Sequence, residues 1–217
     1  SFNDSKKSWD MNKNLWKNTG RKLMYFDGSG TCTILYDQAS NILYRYISSS
    51  KSYKRVSNVI DKLNGSRYYF YDANGNRRTS SGWKKVNGST AYYVCDGGYV
   101  TSRYTDQKGT KKVYDFDYSK NTWVQKKNMW KTVYRSRYYF GSKGVATMSY
   151  NNSTKKAYKF TGRKWKPAKK LIMKIGNANY YFNSAAKRVV KAGKYKTADG
   201  YIAYVNRRGV VLSLIHI

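Results

Sequence analysis

The residues of this chain that could do chemistry are aromatic faces and cations. Of 217 residues, 24 are Tyr, 6 are Trp and 43 are Lys or Arg. A Tyr or Trp face stacks on sugars and bases and attracts a cation. Lys and Arg hold phosphate and carboxylate. Parts for acid–base or nucleophilic catalysis are missing. All 11 acids are Asp, there is no Glu, and the one His is His216. No Cys–His or Ser–His arrangement can be drawn. The nearest carboxylate pair, Asp115-x-Asp117, reads as the rim of a hairpin turn. Cys32 and Cys95 lack partners at metal-ligand spacing and are expected as two free thiols. The expectation is a non-catalytic chain with no cofactor and no metal site, any catalytic domain lying outside these residues.

The charge balance, 43 − 11 = +32, points to an acidic partner. Basic residues recur along the whole chain, as in "RKWKPAKK" (163–170) and "KRVVK" (187–191). That distribution suits a long polyanion better than a small ligand. Single-stranded nucleic acid is one candidate of that kind. The chain carries no recognition-helix or RNP-like signature, so nucleic acid ranks second.

These side chains must be positioned by strands. Leu, Ile, Val and Phe together number only 38 of 217, so Tyr and Trp must supply much of the core. With Glu absent and Leu and Ala few, strand formers dominate. No run of 18 apolar residues offers a membrane span. Tyr-rich strands close at Phe70, Val94, Phe116, Phe140, Phe160, Phe182 and Val205, with gaps of 24, 22, 24, 20, 22 and 23. Phe26 stands 44 residues before Phe70, with Tyr46 between them. This is a comb of about nine teeth. The motifs "TKKVYDF" and "TKKAYKF" are 44 residues apart, which suggests a two-hairpin superunit. Turns such as "DGSG" (27–30), "DANG" (72–75), "DGG" (96–98), "GSKG" (141–144) and "NRRG" (206–209) supply the positive φ and Asp capping that hairpins need. A lone hairpin is marginal in water, so the array is stable only as an array. The expected fold is an all-β solenoid of stacked β-hairpins, with a partial propeller-like array as the alternative.

The stretches "YYFYDANGNRRTSSGW" (68–83), "GWKKVNGSTAYYVCDGG" (82–98) and "WKTVYRSRYYFGSKGVATMSY" (130–150) resemble the cell-wall-binding repeats of Gram-positive bacteria. These are the repeats of choline-binding and glucan-binding proteins. The resemblance implies a secreted surface protein whose hairpins hold an attached domain, upstream in the same chain, against the wall. It implies ligand contacts at the Gly-Trp position, matched by Trp83, Trp130 and Trp165. It implies the same at the Tyr-Tyr position, matched by Tyr92, Tyr93, Tyr138, Tyr139, Tyr180 and Tyr181. The family's further cage Trp is replaced here by Arg67, Ala91, Arg137 and Asn179. A cationic headgroup is also repelled by +32. The ligand expected is therefore an anionic wall polymer such as teichoic acid, or a glucan or peptidoglycan glycan, rather than choline. The repeats are expected over 15–211, preceded by a remnant or linker at 1–14. The string "LSLIHI" breaks the repeat style and resembles a translated adapter sequence, so 212–217 is expected to be a non-native tail.

Overall fold

The computed structural model describes every residue except 1, 4, 6, 7, 10, 66, 96 and 217, and the backbone alone at 2, 3, 8 and 9. Asp96 of the "DGG" turn and parts of the 1–14 and 212–217 segments thus lie outside the described residues. The fold is all-β, a tandem array of antiparallel hairpins, as the composition requires. The short 3-10 turn Ser48–Ser50 is the one helical element among the described residues, and none is long and apolar enough to cross a membrane.

Strand order within each sheet follows chain order. Five-stranded meanders begin at Leu15–Asn18, Gly82–Asn87 and Met129–Val133. Two-stranded hairpins pair Val59–Lys62 with Tyr68–Tyr71 and Leu171–Ile175 with Ala178–Phe182. A three-stranded sheet combines Gly193–Lys196, Tyr201–Val205 and Val211–His216. Residues expected as a foreign tail thus continue a strand, with Leu212, Leu214 and Ile215 at 69%, 49% and 50% exposure.

The comb has two kinds of teeth. One kind ends in a docking turn, at Phe26, Tyr71, Val94, Phe140, Phe182 and Val205. In each, the next residue's N–H donates to the carbonyl four residues on, and the N–H three residues on donates back to that next residue's carbonyl. Examples are Asp27 to Thr31 at 3.0 Å and Gly30 to Asp27 at 3.0 Å. Tyr71, not Phe70, belongs to this series, because Asp72 opens the turn and the loop at 63–67 is longer than in the other hairpins. Phe116 and Phe160 are the other kind. They lie on the fourth strands of meanders, Thr110–Asp117 and Ala157–Phe160; a "TKK" opens the first and immediately precedes the second.

Local chemistry fixes these turns. The side-chain oxygens of Asp27, Asp72, Asn183 and Asn206 each accept backbone N–H bonds from two and four residues on, at 2.9–3.1 Å. The carbonyl oxygen is what the turn uses, so Asp and Asn interchange. Gly209 has φ +77, and a Cβ there would lie 2.3 Å from the Val189 carbonyl oxygen. It is Gly for conformation and for close backbone approach.

The chain divides into two compact units, 1–103 with 116–122 and 104–115 with 123–217. Each contains the same core. In the first, Tyr36, Leu43, Val56, Leu63 and Tyr71 are buried together, with Trp16 and Tyr69 packed against them. In the second, Tyr150, Ala157, Ala168, Ile175 and Phe182 are buried, with Trp130 and Tyr180. The offsets run 150 − 36 = 114, 157 − 43 = 114, 168 − 56 = 112, 175 − 63 = 112 and 182 − 71 = 111. The docking turn makes the same bonds in both. Gly75 O accepts from Leu43 N at 3.1 Å, and Ala186 O accepts from Ala157 N at 2.9 Å. Neither Cys32 nor Cys95 is in a disulfide, and both are half-buried.

Candidate functional site

Antiparallel pairing brings expected Trp and Tyr residues into ring contact across the strands. Trp83 lies opposite Tyr93, with ring centroids 5.5 Å apart at 69°. Trp130 lies opposite Tyr139, at 5.6 Å and 51°. Trp16 and Tyr25 form a third pair in the same register, at 5.4 Å and 47°. The motif match missed this pair, although "LWK" (15–17) parallels "MWK" (129–131). All six rings are half-buried, and Trp16 and Trp130 pack against the buried cores.

The tyrosines of the seams carry the protein's own cations. In the first unit the Arg77 guanidinium stands 5.7 Å from the Tyr36 ring and 5.1 Å from that of Tyr69. In the second, Arg188 stands 4.6 Å from the Tyr180 ring. Arg188 and Tyr180 both occur 111 residues after Arg77 and Tyr69. Also in the second unit, Lys111 Nζ lies 5.9 Å from the Tyr138 ring and 5.7 Å from that of Trp165. Around it, Tyr138 lies 6.0 Å from Trp165, Tyr104 5.9 Å from Tyr138 and Phe160 5.3 Å from Trp165. Trp165 Nε1 donates to the Gly109 carbonyl at 3.0 Å, and Asp106 pairs with Lys111. This box unites two expected residues, Tyr138 and Trp165, with Lys111, Tyr104 and Phe160, which were not expected as ligand contacts. The Arg137 guanidinium lies 5.8 Å from the Trp130 ring. In the first unit, burial pushes the Tyr92 hydroxyl above its ordinary pKa, against the opposing charge of Arg103.

Tyr181 differs from the other expected residues. It is 4% exposed, its hydroxyl donates to the Lys196 carbonyl at 2.8 Å, and it stacks on Tyr195 at 5.2 Å and 24°. Its position opposite Ile172, where other hairpins carry Trp, lets the next hairpin cover it.

The acids are committed elsewhere. Asp117 Oδ1 caps its turn, accepting from Ser119 N at 3.0 Å and Lys120 N at 3.2 Å. Asp115 faces Lys131 at 2.9 Å and Lys126 at 3.5 Å. Asp115 is therefore an ion-pair partner, not the turn rim expected from the sequence.

No family model matches the chain, and neither does any curated protein. Solved structures do resemble it. One is alternansucrase in complex with isomaltononaose, at 17% identity and TM-score 0.25, covering 92% of this chain and 15% of that one. Another is choline binding protein F from Streptococcus pneumoniae, at 20% identity and TM-score 0.26, covering 88% and 61%. A third is the modular autolysin LytC from Streptococcus pneumoniae with a synthetic peptidoglycan ligand, at 14% identity and TM-score 0.23, covering 93% and 47%. The chain thus spans under two thirds of each of these proteins. At such values the matches carry no ligand or activity over to it.

Proposed function

We propose that this chain is a non-catalytic binding module that holds a secreted bacterial protein on an anionic wall polymer or wall glycan. The observation that carries this reading is the Lys111 box, in which a cation lies against the rings of both Tyr138 and Trp165. An aromatic box already holding an ammonium offers little to a quaternary ammonium ligand. With Asp106 already paired to Lys111, the box suits a hydroxylated ligand that stacks on the exposed parts of the rings, and a ligand oxyanion falls to cations elsewhere on the chain. The same combination of Tyr faces and cations repeats at Arg77 and Arg188, and repetition matches a polymeric ligand. The net charge of +32 would draw such a polymer in from a distance.

The test is co-sedimentation with purified Gram-positive cell walls for the wild type and for the Trp83→Ala, Trp130→Ala and Trp165→Ala variants, with melting monitored alongside. Reduced sedimentation with an intact melting transition supports ligand contact by these rings. Unchanged sedimentation by all three would reject it. Tyr faces beside Arg also favour a second reading, single-stranded nucleic acid. That reading requires retention of mixed-sequence oligonucleotides at physiological salt in preference to wall polymer.

A further inference from the structure

Each unit also contains a cleft distinct from the aromatic pairs, and the two clefts share an equivalent strand cation and an equivalent apolar pair, with their other cations at different positions. In the second unit a cleft of about 450 Å³ is lined by Lys159, Lys169, Leu171, Ile172, Asp199 and Tyr201, among others. In the first unit a cleft of about 340 Å³ is lined by Arg45, Lys54, Arg55, Val59 and Ile60, among others. The strand registers match residue for residue. Ile34 pairs with Arg45 as Met148 pairs with Lys159. Val59 pairs with Tyr71, and Ile60 with Phe70, as Leu171 pairs with Phe182 and Ile172 with Tyr181. Each cleft therefore has a cation from the meander's fourth strand and a two-residue apolar floor from the next hairpin. Further cations line the wall.

A carboxylate lines the second cleft, Asp199, while in the first unit Asp61 reaches the lining cation from outside the cleft. Arg45 is ion-paired with Asp61. In the second unit Met173 replaces Asp61, and Asp199 is the acid instead. The Thr197 hydroxyl and, more weakly, the charges of Lys159 and His216 hold the Asp199 carboxyl below the usual range. Lys54, Arg55 and Lys169 form no ion pair among the described residues. A carboxylate accepts hydroxyl hydrogen bonds, unpaired cations hold an oxyanion, and an aliphatic floor packs against C–H faces.

We infer that these two clefts are equivalent subsites for an oxyanion-bearing sugar or polyol unit, a phosphate or a carboxylate on a hydroxylated chain. The inference rests on the wall-polymer reading above and assigns the charged part of that recognition to Lys54, Arg55, Lys159 and Lys169. It is not a diffuse effect of +32.

The test titrates the full chain with two probes, a glycerol-phosphate oligomer and an oligogalacturonate, at physiological salt. The cleft variant carries Lys54→Gln, Arg55→Gln, Lys159→Gln and Lys169→Gln. A charge-matched control carries Lys13→Gln, Lys127→Gln, Lys143→Gln and Arg207→Gln, all exposed and outside both clefts. The wild type should bind two oligomers per chain. The cleft variant should weaken binding about tenfold or more, and the control about twofold or less. Truncation after Val211, which removes Leu214 from the second cleft, should leave binding in place. Equal losses in the two variants, or no binding of either probe by the wild type, would overturn the inference. Retention of the cleft variant on cell walls, together with equal losses on the oligomers, would sink the clefts and leave the anchor reading standing. The stronger of the two probes identifies the anion as phosphate or carboxylate.

Discussion

Arg188 holds its guanidinium 4.6 Å from the ring of Tyr180, at the position Arg77 occupies over Tyr69 in the other unit. The contact combines cation–π attraction with packing of the Arg stem. Removing it by Arg188→Ala should destabilise the chain by about 1–2 kcal/mol. Chemical denaturation measures this, and an unchanged midpoint would show that Arg188 contributes nothing there.

The equivalent cores predict a second outcome. The Tyr71 hydroxyl is buried without a hydrogen-bond partner, and burial raises its pKa strongly. Phe182 fills the matching place in the other unit. Tyr71→Phe should therefore be neutral or stabilising by up to about 1 kcal/mol, because it removes an unpaired buried hydroxyl. A clear loss of thermal stability would mean the hydroxyl has a structural role.

Turn glycines should separate by their surroundings. Gly209→Ala meets the Val189 carbonyl at 2.3 Å, whereas a Cβ on Gly200 meets nothing within 4 Å. Both have positive φ, +77 and +91. Gly200→Ala should cost about 1 kcal/mol and Gly209→Ala about 2–4. Equal denaturation midpoints for the two variants would contradict the docked-turn account.

Stability should fall at both pH extremes. Side-chain hydrogen bonds from Ser29, Ser40 and Ser119 hold the carboxyls of Asp27, Asp37 and Asp117 below their ordinary range. A folded-state pKa that is depressed gives stability that is present above the unfolded value and lost as pH falls through the folded one. Melting temperature should therefore drop as pH falls below about 4. At the other end, burial first of all raises Tyr53 and Tyr118 to about 12. Stability from these groups is full below about pH 10 and is lost as pH rises through the folded values. Tyrosinate absorbance should follow unfolding in that window. Asp27→Asn keeps the turn, as Asn183 and Asn206 do, and should remove part of the acid dependence.

Much of the fold could be read in the sequence. Alternating Tyr, Val and Phe marked the strands, and Gly and Asp marked the turns, because the period-2 pattern and positive φ are local requirements. The Trp83–Tyr93 and Trp130–Tyr139 pairs follow from the hairpin register, which the turn fixes. What escaped notice was non-local. Lys111 reaches the rings of Tyr138 and Trp165 only because strands 27 and 54 residues away in sequence pack beside it. Arg77 and Arg188 looked like ordinary surface charge, since nothing in "NRR" or "KR" says which ring lies beneath. Tyr181 looked like its neighbours until the next hairpin covered it. The 111–114-residue offset between the two cores was readable but blurred, since Leu43 becomes Ala157 and Trp is replaced at one hairpin by Ile172.

The central claim is that aromatic seams holding their own cations recognise an anionic or neutral wall polymer and not choline. Its most direct measurement is wild-type co-sedimentation with purified Gram-positive walls, before and after removal of their teichoic acid, with free choline as competitor. The account predicts sedimentation that weakens with salt or on removal of the anionic polymer and is untouched by choline. Release by millimolar choline, or no sedimentation at all, would contradict it.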